Sequence, residues 1–204
     1  MSGFDEKAKT WDLDPARVDR ARKVAEAIRT SVPLNSGTNV FEYGCGTGLL
    51  GFALKPFVGP ITLADRSPGM VAVLKEKILA AQASGMHPLL LNLSTDPLPE
   101  ARFDLVCTLL TLHHVPDTRK ILRAFQSLLA SPGYLCAADL DREDGSFHGP
   151  DFDGHRGFDR EALAETAASA GFRNVRFETV LKIIKETADG KKNFPLFLMT
   201  GEKP

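Results

Sequence analysis

Two stretches of this chain carry residue types and spacings that can do chemistry. The first runs from Val40 to Gly51, V-F-E-Y-G-C-G-T-G-L-L-G, where apolar residues lead to Glu42 and Gly44, Gly46 and Gly48 then fall at alternate positions. Glycine is used where φ must turn positive or where a ligand must touch the backbone. A glycine-rich turn from strand to helix aims free N–H groups into the crevice at the carboxyl end of a parallel sheet. This stretch therefore reads as a cradle for a nucleotide or nucleoside. The second stretch, residues 139–158, holds six acids, two histidines and four glycines, more than a simple connection needs. Its His148 and His155, with His114 from an earlier segment, can exchange a proton near neutral pH. As a metal site the stretch is poor. Asp139, Asp141 and Glu143 match the opening of a calcium loop, but position six is Asp144 and position twelve is Pro150. His148 and His155 are seven apart with no third nitrogen or sulfur ligand nearby in sequence, so no metal is expected.

The elements that must hold these residues follow from apolar periodicity. A buried strand is expected from Asn39 to Tyr43, a tight loop from Gly44 to Gly48, and a helix from Leu49 to about Pro56. An earlier helix opens at Pro15 with Asp14 as N-cap and Ala21, Val24, Ala25 and Ile28 as its inward stripe. Pro60 to Asp65 reads as a strand ending in an acid, followed by Ser67 as N-cap and Pro68 at the first helical position. Asp65 would stand beside the glycine loop, where a carboxylate can accept two hydrogen bonds from the vicinal hydroxyls of a ribose. The helix from Met70 to Ser84 would bury Met70, Leu74, Ile78 and Ala81, with Gly85 closing it. Further strands are expected at His87–Leu93 and Arg102–Leu112. Asp117 caps a helix whose apolar face is Ile121, Leu122, Phe125, Leu128 and Leu129. Asp159 starts another, closed by Gly171, with Leu163, Ala167 and Ala170 inward. Phe172–Glu186 and Asn193–Thr200 close the chain as two strands, with Asp189-Gly190 in their turn.

Composition excludes several classes. With 204 residues the default is one domain, 1–204, with room for a sizeable core. A formal net charge of -1 supplies no bulk attraction to nucleic acid or an anionic membrane. Cys45, Cys107 and Cys136 lie in or beside apolar runs at spacings unsuited to zinc, and an odd count argues against a disulfide framework. A reducing, cytoplasmic setting is expected. The opening residues lack the apolar region of a signal peptide, and no apolar run is long enough to span a bilayer.

The segment E-Y-G-C-G-T-G, with Glu42, Gly44, Gly46 and Gly48, resembles motif I of the class I S-adenosylmethionine-dependent methyltransferases. F-D-L-V from Phe103, followed by L-H-H-V-P-D from Leu112, is similar to motif IV in the branch that methylates small molecules. Leu129 to Asp139 resembles that family's helix, P-G-G and strand motif, with Tyr134 in place of the second glycine. The opening F-x-x-x-A-x-x-W-D, from Phe4 to Asp12, looks like the amino-terminal lid of small methyltransferases. The resemblance covers nearly the whole chain. It implies an α/β, doubly wound three-layer sandwich whose seven-stranded, mostly parallel sheet has the order 3-2-1-4-5-7-6 with the last strand antiparallel. Residues 1–34 would form a helical lid and 139–158 a substrate-side loop.

The implied cofactor is S-adenosyl-L-methionine, held by Glu42, Gly44, Cys45, Gly46, Gly48, Asp65, Arg66, Asn92, Leu93, Thr108 and Leu109. Asn92 stands where the family commonly has an acid on the adenine amino group, with Ser94 or Asp96 as alternatives; an asparagine carbonyl can still accept from that amine. Trp11, Asp139, His148 and His155 would face a small-molecule methyl acceptor, and His148, His155 or His114 would serve as general base. Neither nucleic acid nor a membrane is implied. Two other functions use the same residues. Gly46-x-Gly48-x-x-Gly51 with Asp65 also satisfies the dinucleotide fingerprint of an NAD-linked oxidoreductase. A non-catalytic binding module of the same fold is the other.

Overall fold

Strands that are apolar at successive positions must be covered on both faces. The computed structural model, which describes residues 3–188 and 190–204, covers them so. The strands are β1 (Val40–Tyr43), β2 (Ile61–Asp65), β3 (Met86–Leu90), β4 (Phe103–Leu109), β5 (Leu129–Leu140), β6 (Arg173–Thr187) and β7 (Gly190–Lys203). They form one sheet in the order β3-β2-β1-β4-β5-β7-β6. β1 to β5 pair in parallel, and β7 runs antiparallel to both β5 and β6. This is the α/β topology that the resemblance implies.

Side-chain alternation divides the core into two layers. Val40, Leu105, Cys107, Cys136, Ala138, Leu196 and Leu198 point to one face. There they meet Val24, Ala25 and Ile28 of α2 (Pro15–Ser31), Leu50 and Leu54 of α3 (Leu49–Leu54), and Leu74 of α4 (Pro68–Ala80). Phe41, Tyr43, Val106, Leu135, Ala137, Phe197 and Met199 point the other way. These pack on Ile121, Leu122, Phe125 and Leu128 of α5 (Thr118–Leu128) and on Leu163 and Ala167 of α6 (Arg160–Ser169). All three cysteines are free and buried, and burial pushes each thiol pKa up.

Four helix starts behave as their sequences dictate. The side chains of Asp14, Ser67, Asp117 and Asp159 accept from the N–H groups of Ala16, Met70, Lys120 and Ala162 at 2.9, 3.2, 2.8 and 3.0 Å. Other boundaries differ. α4 stops at Ala80, because the chain turns at Gln82 (φ 48°) and Gly85 (φ 74°), and Ala81 is exposed rather than inward. β3 ends at Leu90, after which Asp96 takes the N–H of Asn92 at 2.8 Å to form a turn. Leu129 is buried, but as the first residue of β5. The hairpin of β6 and β7 reaches Thr187 and Gly190, beyond the apolar run, because exposed polar residues can continue an antiparallel ladder without burial. Asp189, expected in its turn, lies outside the described residues. No described helix is long and apolar enough to cross a membrane.

Candidate active site

The site opens at the carboxyl ends of β1, β2 and β4, where the strand order reverses between β1 and β4. A cavity of about 670 Å³ lies there, within the range of small-molecule sites. Its floor is the glycine loop. Gly46 has φ 53°, and a Cβ on it would point into space with its nearest neighbours, Met70 Sδ and Trp11 Nε1, at 3.9 Å. Here a ligand can rest on backbone. Gly48 (φ 83°) does not line the cavity; a Cβ there would strike Leu74 at 2.6 Å, so this glycine lets α4 approach.

The loop's N–H groups are not free. Those of Gly44 and Cys45 donate to the Ala64 carbonyl at 2.8 and 3.1 Å, and that of Gly48 to the Cys45 carbonyl at 2.8 Å. Gly46 N–H donates to Asp65 Oδ2 at 2.7 Å, and Gly51 N–H donates to the Glu42 carboxyl. Glu42 lies beneath the loop, 2% exposed, and its Oε2 has no protein partner. Burial lifts its pKa from the ordinary 4.5 to about 8, with the nearby Asp65 carboxylate raising it further.

Beside the loop, Asp65 is held by Gly46 N–H and by Ser67 N–H at 2.8 Å, and burial raises its pKa above the ordinary carboxylate value. Arg66, Asn92, Ser94, Cys45 and Leu109 also line the cavity. Asn92 Oδ1 accepts from Ser94 N–H at 3.1 Å, and Asp96 turns away to cap the Asn92 N–H.

The amino-terminal segment roofs the cavity through α1 (Gly3–Lys7) and a 3₁₀ turn, Ala8–Leu13. Trp11 lines it, with the Arg17 guanidinium 3.9 Å from the indole centroid. Asp5 accepts from Ser67 Oγ at 2.6 Å and Gly69 N–H at 3.0 Å. Asp12 accepts from Thr47 Oγ1 and from Lys77 Nζ, and the same ammonium reaches the Thr47 carbonyl at 2.7 Å.

The far wall is built from imidazoles. Leu110 takes φ 52°, strained for a leucine, and turns the chain out of β4 so that Thr111 and the 3₁₀ turn Leu112–His114 cross the cavity. His113 is 1% exposed; its Nδ1 lies 2.6 Å from Asp139 Oδ1, and its Nε2 lies 3.0 Å from His148 Nε2. Phe4 and Phe152 meet His114 edge-on at centroid distances of 5.3 and 5.2 Å, and His148 stacks on Phe152 at 4.0 Å. Burial and then the neighbouring imidazoles lower the pKa of His114 to about 3; burial and then His113 lower that of His148 to about 4. Both are neutral at physiological pH.

A family model described as a methyltransferase domain matches residues 16–176. The chain belongs to the methyltransferase domain family. An uncharacterized methyltransferase of Schizosaccharomyces pombe is 31% identical over 121 residues, covering 56% of this chain and 43% of that protein. A ubiquinone biosynthesis O-methyltransferase of Xanthomonas campestris is 30% identical over 135 residues, covering 66% and 53%. The chain spans about half the length of these curated relatives. A SAM-dependent methyltransferase from Aquifex aeolicus shares the fold with a TM-score of 0.72 at 20% identity, each chain covered to 98%.

In this methyltransferase domain, Glu42, Gly44, Cys45, Gly46, Asp65, Arg66, Asn92 and Leu109 line the cavity, with Trp11, His114 and His148. Several expected site residues lie elsewhere. Thr108 is fully buried within the sheet, its Oγ1 without a partner, and Leu93 is buried with its N–H donating to Tyr43 Oη at 3.3 Å. Asp139 is fully buried and meets the cavity only through His113. His155 is turned away: its Nε2–H donates to the Val115 carbonyl at 3.0 Å and its backbone N–H to the His113 carbonyl at 2.8 Å. It clamps the Leu112–His114 turn and does not line the cavity. His113, not among the expected residues, also lines the cavity. It sits in the quoted L-H-H-V-P-D segment, and the signal that singles it out is its pairing with Asp139 across β4 and β5.

Proposed function

We propose that the chain transfers a methyl group from S-adenosyl-L-methionine to a small-molecule acceptor. The observation that carries this reading is the polarity of the glycine loop. Five N–H groups around it are already bonded within the protein, and an acid with an unpartnered oxygen lies beneath. A pyrophosphate is bound by N–H donors at such a loop and helix start, so a dinucleotide fits poorly. A ligand with an ammonium and a sulfonium fits better, because a cation needs acceptors rather than donors, and it would draw the proton from Glu42, whose Oε2 has no partner. Asp65 would hold the ribose hydroxyls, and Asn92 or Ser94 the adenine edge.

The cofactor supplies a methyl group on an activated sulfur leaving group. The chain's own residues do the rest. Trp11 and Phe4 exclude water from above. Asp139 holds the His113 proton on Nδ1, so His113 Nε2 accepts from His148 Nε2–H at 3.0 Å and His148 Nδ1 is left as the unprotonated nitrogen of the pair. His148, on the exposed side of this pair, would take the acceptor's proton as the new bond forms, a role that typically contributes ~10²–10⁴-fold. Holding the acceptor in line contributes up to ~7–11 kcal/mol. The name of the Xanthomonas relative supports a small acceptor.

Calorimetric titration tests the cofactor. S-adenosylhomocysteine should bind wild type, and Asp65→Ala should weaken it by about tenfold or more, the value of one charge-assisted bond. Binding of NADH in its place would reverse the assignment.

A further inference from the structure

His113, His114 and His148 converge on the acceptor wall from two separate segments, and we propose that they bind one divalent transition-metal ion, zinc by preference, with Asp139 as the outer partner of His113. One potential ligand atom from each of the three histidines lies within 4.8 Å of the other two. No spacing rule reveals this set, because His148 is 34 residues beyond His114 and reaches it through the 139–158 loop.

The geometry is close to what an ion needs. Zinc takes imidazole nitrogens at about 2.0–2.1 Å in a tetrahedron, which sets ligand nitrogens about 3.3 Å apart. His113 Nε2 and His148 Nε2 stand at 3.0 Å, so this pair needs a few tenths of an ångström of movement on the exposed His148 side, and the His114 nitrogen, within 4.8 Å of both, closes the set by a larger shift. Without an ion, one ring proton bridges these two atoms. With an ion, His148 carries its proton on Nδ1 and both Nε2 lone pairs face the metal.

The surroundings are those of a ligand set. The Asp139 carboxylate on His113 Nδ1 fixes that ring's tautomer and orientation, as outer carboxylates do for metal-bound histidines. Asp139 is itself locked by the Leu140 N–H at 2.8 Å. Phe152 and Phe147 hold the His148 ring by stacking and edge contact, at 4.0 and 4.8 Å, with its Nε2 toward His113 Nε2. Three neutral nitrogen donors suit zinc and its neighbours in the first transition row, not magnesium or calcium, which require oxygen. Three protein ligands leave a fourth position, and all three histidines line the cavity. A hydroxyl or thiol of an acceptor bound there would lose its proton more readily than in water. That last role rests on the methyl-transfer reading; the ion site does not.

The test uses the full chain, stripped with a chelator and titrated with zinc chloride by calorimetry, with metal content measured after dialysis. One zinc per chain is expected. His148→Ala should abolish or greatly weaken binding, Asp139→Asn should weaken it about 10–100-fold, and His87→Ala, at an exposed position of β3 away from the cluster, should leave it unchanged. Cobalt(II) added to the wild type should give the intense visible bands of a tetrahedral nitrogen site, a readout that needs no variant. Failure to retain zinc, or retention undiminished in His148→Ala, overturns the proposal. S-adenosylhomocysteine titrated into the zinc-free chain is read separately. Loss of that binding with zinc retained would remove the methyl-transfer reading and leave the metal site standing.

Discussion

Glu42 is the residue whose environment is most at odds with its charge. One carboxyl oxygen accepts from Gly51 N–H, the other has no partner, and the pKa rises from 4.5 to about 8. The native chain therefore keeps a proton that the unfolded chain releases above about pH 4.5. Stability should fall as pH rises from about 4.5 to about 8 and then level off. Glu42→Gln keeps the shape without the titration, so urea unfolding across that interval should lose this part of the slope. A cation placed beside Glu42 pulls its pKa down. Binding of S-adenosylhomocysteine at pH 7 should thus release a proton, seen as a binding enthalpy that depends on the buffer in wild type and not in Glu42→Gln. A buffer-independent enthalpy in wild type would mean that the ammonium sits elsewhere. Glu42 and Asp65 are legible in sequence because each ends a strand next to a turn. His113 was not, since its partner Asp139 is 26 residues away and comes within reach only when β4 pairs with β5. The placement of His155 is hidden for a related reason: its ring serves a backbone carbonyl, and no residue pattern reports that.

The amino-terminal roof is held to α4 and the glycine loop through Asp5 and Asp12. Lys77 Nζ joins Asp12 to the Thr47 carbonyl, so the latch closes directly over the glycine loop. The Lys77 and Asp12 side chains are 28% and 30% exposed, and screening limits the latch to about 1 kcal/mol. Lys77→Met keeps an unbranched stem of similar length and removes the charge, both from the latch and from its place 4.9 Å from the Phe52 ring centroid. S-adenosylhomocysteine should then dissociate about fivefold faster in stopped-flow measurements, with little change in the unfolding midpoint. An unchanged rate would show that the roof opens without breaking this contact. Helix starts, unlike this latch, were readable, because a cap acts within three residues of itself. Helix and strand ends were less so. The stop of α4 depends on Gln82 adopting a positive φ, a choice set by how the chain re-enters the sheet at β3.

Across the whole molecule the two core layers have different relations to the site. Leu50 is buried in the layer of α2 and α3 and also lines the cavity; Phe197 is buried in the layer of α5 and α6 and does not. Truncation of either removes close-packed volume, at ~2–5 kcal/mol for Leu50→Ala and ~3–5 kcal/mol for Phe197→Ala, large against a total stability of ~5–15 kcal/mol. A ligand that binds only the native state adds about 2.7 kcal/mol at a hundred times its Kd. In urea unfolding at a fixed concentration of S-adenosylhomocysteine, Phe197→Ala should lose stability yet gain the full wild-type increment from the ligand. Leu50→Ala should lose a similar amount and gain less, because the cavity floor beneath the glycine loop has collapsed. Equal increments in the two variants would mean that the floor is set by backbone alone and that Leu50 serves only packing.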